Sequence, residues 1–428
     1  MKARRQLARL FILFVVSISF ASAIRAQKIP TPREEKLLNG LKILMWPDAS
    51  KPNVAVSIRV HSGSAFDPQG KEGVMRLLAD GLFPIEATRE FFRDDLGGEL
   101  KVRSTYDMIQ VDASSQASDY LQMLETLGSA LTNPPLEREL TDKLKAQLIS
   151  ELNAKLGTAS YTADDAVARR LLGQFPYGRP VDGTPASVGR VVYADLVDAK
   201  NKFLVADNAT LTITGNFDRV EALRALRRLF GAWLKGDRRV PASFRQPDPP
   251  PTAIEMLPSP EKDRAAIRFA MRGIARSDRS FASCRVYAKI AEARLRSIVP
   301  SAASESVNVR CHEQLLPGTF VIGFDVDRGL VGTENGKVNA LDLLAKLLAE
   351  KVNSVEFESA RSKFASEWAA RPLTEFWLDA DTFRTGTAEA ELSLPANVTT
   401  ADVQAFADRI ASSPAAVVIV TTPTPQPK

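Results

Sequence analysis

The stretch Gly73-Val74-Met75-Arg76-Leu77-Leu78-Ala79-Asp80-Gly81-Leu82-Phe83 anchors the organisation of the first half of the chain. Its apolar residues recur at the spacing of one helical face, which predicts a helix over Glu72–Phe83. Arg76 and Asp80 are four residues apart, so they lie on one side of that helix and can form an ion pair. The stretch therefore combines an apolar face with a charged arginine–aspartate pair.

Predicted strands and helices alternate around this helix. The strands are short apolar runs, and Asn39-Gly40 is a turn signal before the first of them. Asp164 and Asp165 suit the first turn of a helix that begins after Ser160, because the helix dipole favours acidic residues there. The predicted elements are strands at Leu41–Trp46, Val54–Val60, Met108–Ala113 and Leu211–Thr214 and helices at Tyr120–Leu131, Glu137–Leu156, Thr162–Phe175 and Val220–Leu229.

The end of the second half repeats the end of the first at a constant offset of 207 residues. Val191–Leu196 aligns with Val398–Val403, and both share the pattern Val-x-x-Ala-Asp followed by an aliphatic residue. Leu211–Thr214 aligns with Val418–Thr421 at the same offset. An ungapped repeat of this kind indicates two copies of one α+β unit.

A proline-rich segment separates the two copies and predicts a semi-rigid linker at 236–254. We therefore expect one domain at 33–235 and a similar one at 255–422. The last residues, 423–428, are rich in proline and are expected to be a disordered tail.

Residues 1–26 are predicted to be a secretory signal peptide. Basic residues precede the apolar run Leu10–Phe20, and small residues follow it as candidate cleavage sites. An uncleaved anchor is the weaker interpretation, since the run is too short to span a bilayer comfortably. We therefore expect an exported protein, periplasmic or secreted, with no stable membrane span after cleavage.

The signal also accounts for the net charge of +5. It contains none of the 51 acidic residues and five of the 56 basic ones, so the mature chain has 56 less 5, or 51, basic residues. This balance gives no reason to expect a nucleic acid partner. The five basic residues of the signal are Lys2, Arg4, Arg5, Arg9 and Arg25.

Cys284 and Cys311 are the only cysteines of the chain. In an oxidising compartment they can pair, and two separate buried thiols are the alternative. They do not form a zinc site of the Cys₂His₂ type, because His312 is the only histidine nearby.

Other catalytic patterns have little support. His61 lies in His61-Ser62-Gly63-Ser64 at a predicted strand end, where a structural role is favoured over a nucleophile cluster. His312 follows Cys311, but neighbours in a strand point to opposite faces, which disfavours a thiol–imidazole pair. The sequence contains no Gly-x-Ser-x-Gly, Walker A or Gly-x-Gly-x-x-Gly motif.

Several segments, in this order and spacing, resemble the pitrilysin/insulinase (M16) family of zinc metallopeptidases, in particular its bacterial processing-peptidase-like members. The resemblance implies an α+β fold of two similar M16-type α/β sandwich domains, each a mainly antiparallel sheet with helices packed on one face. The matching segments are Leu38–Ile43, Gly63-Ser64, Leu96–Leu100, Pro176–Gly183 and Gly231-x-Trp233.

The departures from the family carry most of the functional information. The family's inverted zinc motif, His-x-x-Glu-His, supplies two metal ligands and a general base. Arg76, Ala79 and Asp80 occupy those positions here, while Glu151 matches the family's later glutamate ligand. Supporting positions also differ. A family glutamate falls on Leu144, an asparagine falls near Lys101, and Leu295–Val309 has no tyrosine to accompany Arg296.

The resemblance therefore implies a pseudoenzyme with no catalytic residue, no metal and no cofactor of its own. If Glu151 lies opposite the motif helix, Arg76 can bridge Asp80 and Glu151 in place of zinc. The expected role is a subunit that pairs with an active zinc-containing homologue around a peptide chamber. Two alternatives stay open: a self-standing periplasmic peptide-binding or scaffold protein, including a homodimer, and a metallopeptidase with an atypical site.

Overall fold

The computed structural model describes residues 30–236, 244–251, 253–332 and 338–422. The predicted signal peptide and the predicted tail at 423–428 lie outside these residues. Two sheets organise the described part, one of six strands and one of five. The predicted fold class, an α+β protein of two similar sheet-and-helix units, is confirmed.

The first sheet has the strand order β1-β2-β6-β3-β5-β4. Its strands are β1 (Arg33–Lys36), β2 (Lys42–Pro47), β3 (Asn53–Val60), β4 (Leu100–Ser104), β5 (Ile109–Gln116) and β6 (Ala209–Gly215). The helices of this half are α1 (Val74–Asp80), α2 (Glu86–Asp94), α3 (Tyr120–Thr132), α4 (Arg138–Leu156), α5 (Ala159–Leu172), α6 (Pro185–Gly189), α7 (Tyr193–Phe203) and α8 (Arg219–Phe230).

Strand alternation gives the first sheet one apolar face. On β3, Val54, Val56, Ile58 and Val60 are buried in the main core together with residues of α1, α3, α4 and α8. The intervening residues point to the opposite face, because successive side chains of a strand alternate. That opposite face carries polar groups, including Arg59.

The second sheet has the order β7-β11-β8-β10-β9 and follows the same plan. Its strands are β7 (Glu255–Leu257), β8 (Arg264–Arg272), β9 (Asn308–Cys311), β10 (Thr319–Asp327) and β11 (Ala416–Val420). The helices of this half are α9 (Phe281–Ile298), α10 (Ala340–Ala349), α11 (Ser354–Ala369), α12 (Leu373–Phe383), α13 (Ala388–Asn397) and α14 (Thr400–Ser412).

The internal repeat corresponds to equivalent elements. Helices α7 and α14 begin at residues 193 and 400, and strands β6 and β11 begin at residues 209 and 416. Both offsets equal 207. In each sheet the repeated strand has one parallel neighbour and one antiparallel neighbour: β6 lies between β2 and β3, and β11 lies between β7 and β8.

Each sheet is covered on its second face by a helix from the other half of the chain. Helix α5 packs on β8 and β11 through small side chains, so that Ala159, Ala163 and Ala166 share a core with Ala266 and Ala270. Conversely, α12 crosses the first sheet, and Lys42 Nζ lies 2.9 Å from Asp381. The two halves are thus joined by reciprocal packing.

Two buried arginines lie at the contacts between the two halves. Arg59 on β3 is fully buried and reaches Glu375 at 2.5 Å and Asp379 at 2.7 Å, both on α12. Arg268 on β8 reaches Asp164 on α5 at 2.5 Å and Asp325 on β10 at 2.9 Å. An arginine in each sheet is therefore neutralised by a helix of the other half, which satisfies charges that would be costly to bury alone.

The predicted boundaries of two helices were wrong. Helix α5 spans Ala159–Leu172 and not Thr162–Phe175, because the side chain of Thr158 accepts the N–H of Tyr161 and caps an earlier start. Asp164 and Asp165 consequently lie beyond its first turn. Helix α1 covers only Val74–Asp80 of the predicted Glu72–Phe83, since Gly73 has a φ of +106°.

The described residues from Pro32 onward form one compact unit. Within the predicted linker, residues 244–251 have no regular secondary structure, and Phe244 contacts Phe66 and Phe175 with ring centroids 6.4 Å and 6.3 Å apart. The domain boundaries stay a prediction. No helix in the described ranges has the length and apolar character needed to cross a membrane.

Candidate functional site

The helix that carries Arg76 and Asp80 is held at its N-terminus by a buried carboxyl group. Asp67 accepts the backbone N–H of Gly73 at 2.7 Å and that of Met75 at 2.8 Å. Burial raises the pKa of Asp67 to about 7, although the two N–H donors and the charge of Arg179 oppose this shift. Acidic groups at a helix N-terminus stabilise the first turn.

Two glycines bring the start of α1 against the loop that contains Asp182. Gly183 has a φ of +78°, and a Cβ atom there would lie 2.1 Å from the carbonyl oxygen of Glu72. A Cβ atom on Gly73 would lie 2.9 Å from the carbonyl oxygen of Asp182. This approach needs residues without a side chain, and it places the Asp182 carboxylate beside Arg76.

The guanidinium of Arg76 is bound by three carboxylates. Its Nε donates to Asp80 at 2.9 Å and 3.1 Å, its Nη2 donates to Glu151 at 3.1 Å, and its Nη1 donates to Asp182 at 3.2 Å. The structure thus brings Arg76, Asp80 and Glu151 together as the bridging hypothesis described. It adds Asp182 as a third acceptor. We call these four side chains the Arg76 cluster.

Two residues surround the Arg76 cluster with further hydrogen bonds. Lys155 Nζ lies 2.9 Å from Asp182, and Gln147 Nε2 donates to Glu151 at 3.3 Å. With Lys155 included, three carboxylates face two cations, so the group has a formal charge of −1. Gln147, Glu151 and Lys155 follow one another at four-residue spacing on α4, which places them on one side of that helix.

Burial and neighbouring charges set the ionisation of the Arg76 cluster. Burial raises the pKa of Asp80, and Glu151 and Asp182 act in the same direction, whereas Arg76 opposes them. For Arg76, burial lowers the pKa, but Asp80 and Asp182 outweigh burial and raise it overall. The Arg76 side chain is 24% exposed, so solvent reaches these ion pairs and weakens them.

These residues do not fit the zinc ion that the family resemblance associates with this position. A guanidinium has no lone pair for a metal, and the three surrounding carboxylates already accept its N–H groups. Ala79 is buried and has no group that could take a proton from water. Across the described ranges, no group of three or more His, Cys, Asp or Glu side chains is arranged to hold a metal ion.

The other positions at which this chain departs from the family are either buried in the core or paired with a neighbouring residue. Leu144 is buried in the main core, where a family member has a glutamate. Lys101 Nζ lies 2.6 Å from Glu99 on the surface. Arg296 is paired with Glu292 one turn earlier on α9 and lies 3.4 Å from the carbonyl oxygen of Val307.

The two histidines lie apart from the Arg76 cluster. His61 Nδ1 lies 2.9 Å from Thr382 Oγ1 and its Nε2 lies 3.0 Å from Thr210 Oγ1, so it belongs to the contact between β3 and α12. His312 Nδ1 is hydrogen-bonded to Thr319 Oγ1. Burial lowers the pKa of His312 to about 4, which keeps the ring neutral at pH 7.

Cys284 and Cys311 form a disulfide with Cα atoms 5.9 Å apart. The bond joins α9 to β9, the edge strand of the second sheet. The alternative of two separate thiols does not apply in this structure, and no thiol is left to act with His312.

Sequence reasoning missed Asp182 and Lys155. Asp182 is 106 residues from Arg76 in sequence and lies in a loop without periodicity. The sequence signal was a glycine before the motif helix, Gly73, and a glycine directly after Asp182, Gly183, because glycine permits positive φ and close backbone approach. In the structure both glycines have positive φ. Lys155 lies four residues after Glu151 on a predicted helix, so the sequence alone placed both side chains on the same side of that helix.

Comparisons with known proteins agree with this architecture. Residues 42–184 match the family model described as insulinase (peptidase family M16), and residues 190–364 match the model described as peptidase M16 inactive domain. An uncharacterized zinc protease of Rickettsia bellii is 23% identical over 214 residues, which cover 47% of this chain and 50% of that protein. The alignment thus spans about half of that relative.

Solved structures show the same fold at low sequence identity. The peptidase M16 inactive domain from Pseudomonas fluorescens has a TM-score of 0.78 at 17% identity, covering 93% of this chain and 100% of that chain. The periplasmic protease PqqL from Escherichia coli has a TM-score of 0.66 at 16% identity, covering 92% of this chain but 49% of that chain.

Proposed function

Because the chain belongs to the insulinase (M16) peptidase family, we propose that it is a non-catalytic subunit of that family. In this proposal it pairs with an active zinc-containing homologue, and the two subunits enclose a chamber that binds peptides. Its contribution is to complete and shape the chamber, while the partner supplies the zinc and the catalytic groups. The chain itself carries no metal or cofactor.

The Arg76 cluster is the observation that carries this proposal. An arginine bound to Asp80, Glu151 and Asp182 supplies a fixed positive centre, so the helices α1 and α4 stay connected without a metal. A bidentate or multidentate guanidinium is well suited to neutralise several carboxylates at once. Ala79 removes the general base at the same time, so a metal alone would not restore the chemistry.

The need for a second subunit is supported by the lengths of the compared structures. This chain matches 49% of PqqL and, in a separate structure of the first half of PqqL, 92% of that chain. PqqL therefore contains about two units of this size in one polypeptide. The part of this chain that the structure describes corresponds to one such unit, and an M16 partner that supplies a second unit is the complement that we propose.

We further propose that the protein works outside the cytoplasm. The predicted signal peptide and the Cys284–Cys311 disulfide both suit an oxidising compartment. PqqL is described as a periplasmic protease. Export would place this chain where a secreted M16 homologue could meet it.

The test is co-expression with a homologue from the same genome that has an intact His-x-x-Glu-His motif. Size-exclusion chromatography with light scattering should show a 1:1 complex, and peptide hydrolysis by the homologue should change when this chain is present. As a matched control, a homologue whose motif glutamate is replaced by glutamine should still form the complex but should lose hydrolysis. This control locates the activity in the partner.

Two results would contradict the proposal. One is failure to co-purify together with unchanged hydrolysis by the homologue. The other is a stable homodimer of this chain that ignores the homologue, which would favour the self-standing scaffold.

A further inference from the structure

His61 lies at a contact between the two halves of the chain, apart from the Arg76 cluster. It follows strand β3 of the first sheet, and its ring reaches Thr210 on β6 and Thr382 on helix α12 of the second half. We propose that His61 is held as the doubly protonated imidazolium at neutral pH, so that this contact is a pH-sensitive clamp that weakens in alkaline solution. The clamp is independent of the function proposed above.

The hydroxyl group of Thr382 cannot give its proton to the histidine. Its Oγ1 lies 2.8 Å from the carbonyl oxygen of Leu378, one turn earlier on α12. A carbonyl oxygen can only accept, so the hydroxyl proton is used there. His61 Nδ1 lies 2.9 Å from the same Oγ1. Nδ1 must therefore carry a proton and donate it to Thr382.

The same accounting applies to the second ring nitrogen. Thr210 Oγ1 donates to Asp381 Oδ2 at 2.8 Å, and the Asp381 carboxylate also binds Lys42 Nζ at 2.9 Å. The hydroxyl proton of Thr210 is used by this carboxylate, so His61 Nε2, 3.0 Å from Thr210 Oγ1, must donate as well. A histidine that donates from both ring nitrogens is an imidazolium cation.

The position of the ring suits a positive charge. Thr382 is in the last turn of α12, which ends at Phe383, and the C-terminal end of a helix favours a cation. The Asp381 carboxylate is separated from the ring by one hydroxyl group, that of Thr210. The His61 ring is half-buried and borders a cavity of about 100 Å³, so its charge is not fully removed from solvent.

The other charged groups around His61 include both signs. Two cations and two carboxylates line the cavity beside it: Lys202, Arg384, Asp207 and Asp381.

Arg59 opposes a second cation, since its Nη1 lies 3.4 Å from Thr382 Oγ1. Its charge is matched by Glu375 and Asp379, which also bind Arg103 and Arg371. Hydrogen bonding outweighs this repulsion, because a neutral ring would hold an unprotonated nitrogen against a hydroxyl oxygen with no proton between them.

Nitrogen-15 NMR of the imidazole rings tests the protonation state directly. The chain has only two histidines, so the protein is purified without a histidine tag, and His312→Gln identifies the signals of His61. At pH 7 both ring nitrogens of His61 should carry protons. His312, whose pKa is lowered to about 4 by burial, should show one protonated nitrogen and serves as the internal control. A neutral His61 ring at pH 7 would overturn the proposal.

Thr210→Val tests the hydrogen bond to Nε2, with Thr210→Ser as the matched control that keeps the hydroxyl. Thr210→Val should lower the pH at which half of the His61 rings have lost their second proton by about one unit or more, since a charge-assisted hydrogen bond is lost. Thr210→Ser should titrate like the wild type. Equal titration of His61 in all three proteins would contradict the assignment, because a packing role of Thr210 would not move it.

His61→Gln tests the clamp itself, because glutamine keeps hydrogen-bonding groups but carries no charge. The free energy of unfolding of the wild type, minus that of His61→Gln, should be largest at pH 6 and should fall as the pH rises to 9. A proton that is held more tightly in the folded state stabilises that state only while it is bound. Asp67 titrates in both proteins and cancels in this difference. A difference that does not change between pH 6 and 9 would show that there is no clamp.

Discussion

The guanidinium Nη2 of Arg76 lies 3.1 Å from Glu151, and this contact joins helix α1 to helix α4. In the resembling peptidases the corresponding positions share a metal. Here the same two helices are joined by a side chain of the protein itself, and our proposal that the chain holds no metal rests on this contact.

Arg76→Ala should lower the free energy of unfolding by about 1–3 kcal/mol, because Asp80, Glu151 and Asp182 lose their shared counter-charge. Partial exposure of the cluster keeps the effect below that of a fully buried ion pair. Urea denaturation followed by circular dichroism measures it. Combining Arg76→Ala with Asp80→Asn should recover part of the loss, as coupled groups do in a double-mutant cycle.

Arg89→Ala, on the neighbouring helix α2, is the control for this series. Its guanidinium makes two long contacts, 3.4 Å to Glu86 and 3.4 Å to the carbonyl oxygen of Phe83, so its loss should change stability little. Equal effects of Arg76→Ala and Arg89→Ala would mean that the cluster has no structural role.

Arg59→Ala should also be destabilising, by about 1–3 kcal/mol, because Glu375 and Asp379 lose a fully buried cation. The loss is limited because Arg103 stays 3.1 Å from Glu375 and Arg371 stays 2.6 Å from Asp379. Differential scanning calorimetry should show a lower melting temperature for this variant. Arg93→Ala serves as a surface control, because Arg93 is exposed and pairs with its neighbour Asp94. If both variants melt together with the wild type, the contact between β3 and α12 does not stabilise the two halves.

Removing the disulfide should also destabilise the fold. Cys284 and Cys311 are 27 residues apart, and closing a loop of this size stabilises a folded chain by about 3 kcal/mol in the chain-entropy model. The variant that combines Cys284→Ala and Cys311→Ala should unfold at lower urea concentration than the oxidised wild type. Dithiothreitol should shift the wild type toward the variant and leave the variant unchanged, and an identical shift in both would point to another cause.

The raised pKa of Asp67 predicts how the free energy of unfolding depends on pH. Its pKa is about 7 in the folded protein because of burial, against an ordinary value of 3.8. Between pH 4 and 7 the folded state therefore holds a proton that the unfolded state has lost. The stabilisation that the protonated Asp67 gives the folded state is present at low pH and is lost as the pH rises through about 7.

Asp67→Asn removes this titration. The free energy of unfolding of the variant, compared with that of the wild type at the same pH, should therefore rise from pH 5 to pH 8. The comparison isolates Asp67 from Asp107 and His312, whose pKa values are also shifted by burial and which titrate in both proteins. Asp94→Asn, at an exposed carboxylate, should show no such trend over the same range. Parallel urea-denaturation results for wild type and Asp67→Asn at every pH would refute the assignment.

Much of the fold could be predicted from periodicity. The apolar alternation of Val54–Val60 predicted β3, and the offset of 207 residues predicted the equivalence of α7 with α14 and of β6 with β11. The pairing of Arg76 with Asp80 followed from four-residue spacing. The position of Glu151 opposite them came from the family resemblance and not from a pattern in this sequence.

Long-range contacts between charged residues could not be predicted in the same way. Arg59 meets Glu375 and Asp379, which lie 316 and 320 residues later. Asp182 meets Arg76 through a loop whose path depends on two glycines. Such contacts are fixed by how the two halves pack, and a single sequence carries no periodic signal for that packing. A charged residue inside an apolar strand, as at Arg59, was the one local indication that a buried partner exists.

The zinc content of the purified chain tests the central claim most directly. After growth in zinc-supplemented medium, mass spectrometry with inductively coupled plasma should find well below one zinc per chain, both in the wild type and in Glu151→Ala. The combined change Arg76→His, Ala79→Glu and Asp80→His, with Glu151 kept, is the positive control and should retain zinc, because it restores two imidazole ligands beside a carboxylate. One zinc per wild-type chain that disappears in Glu151→Ala would contradict the account, since Arg76 would then not have taken the place of the metal.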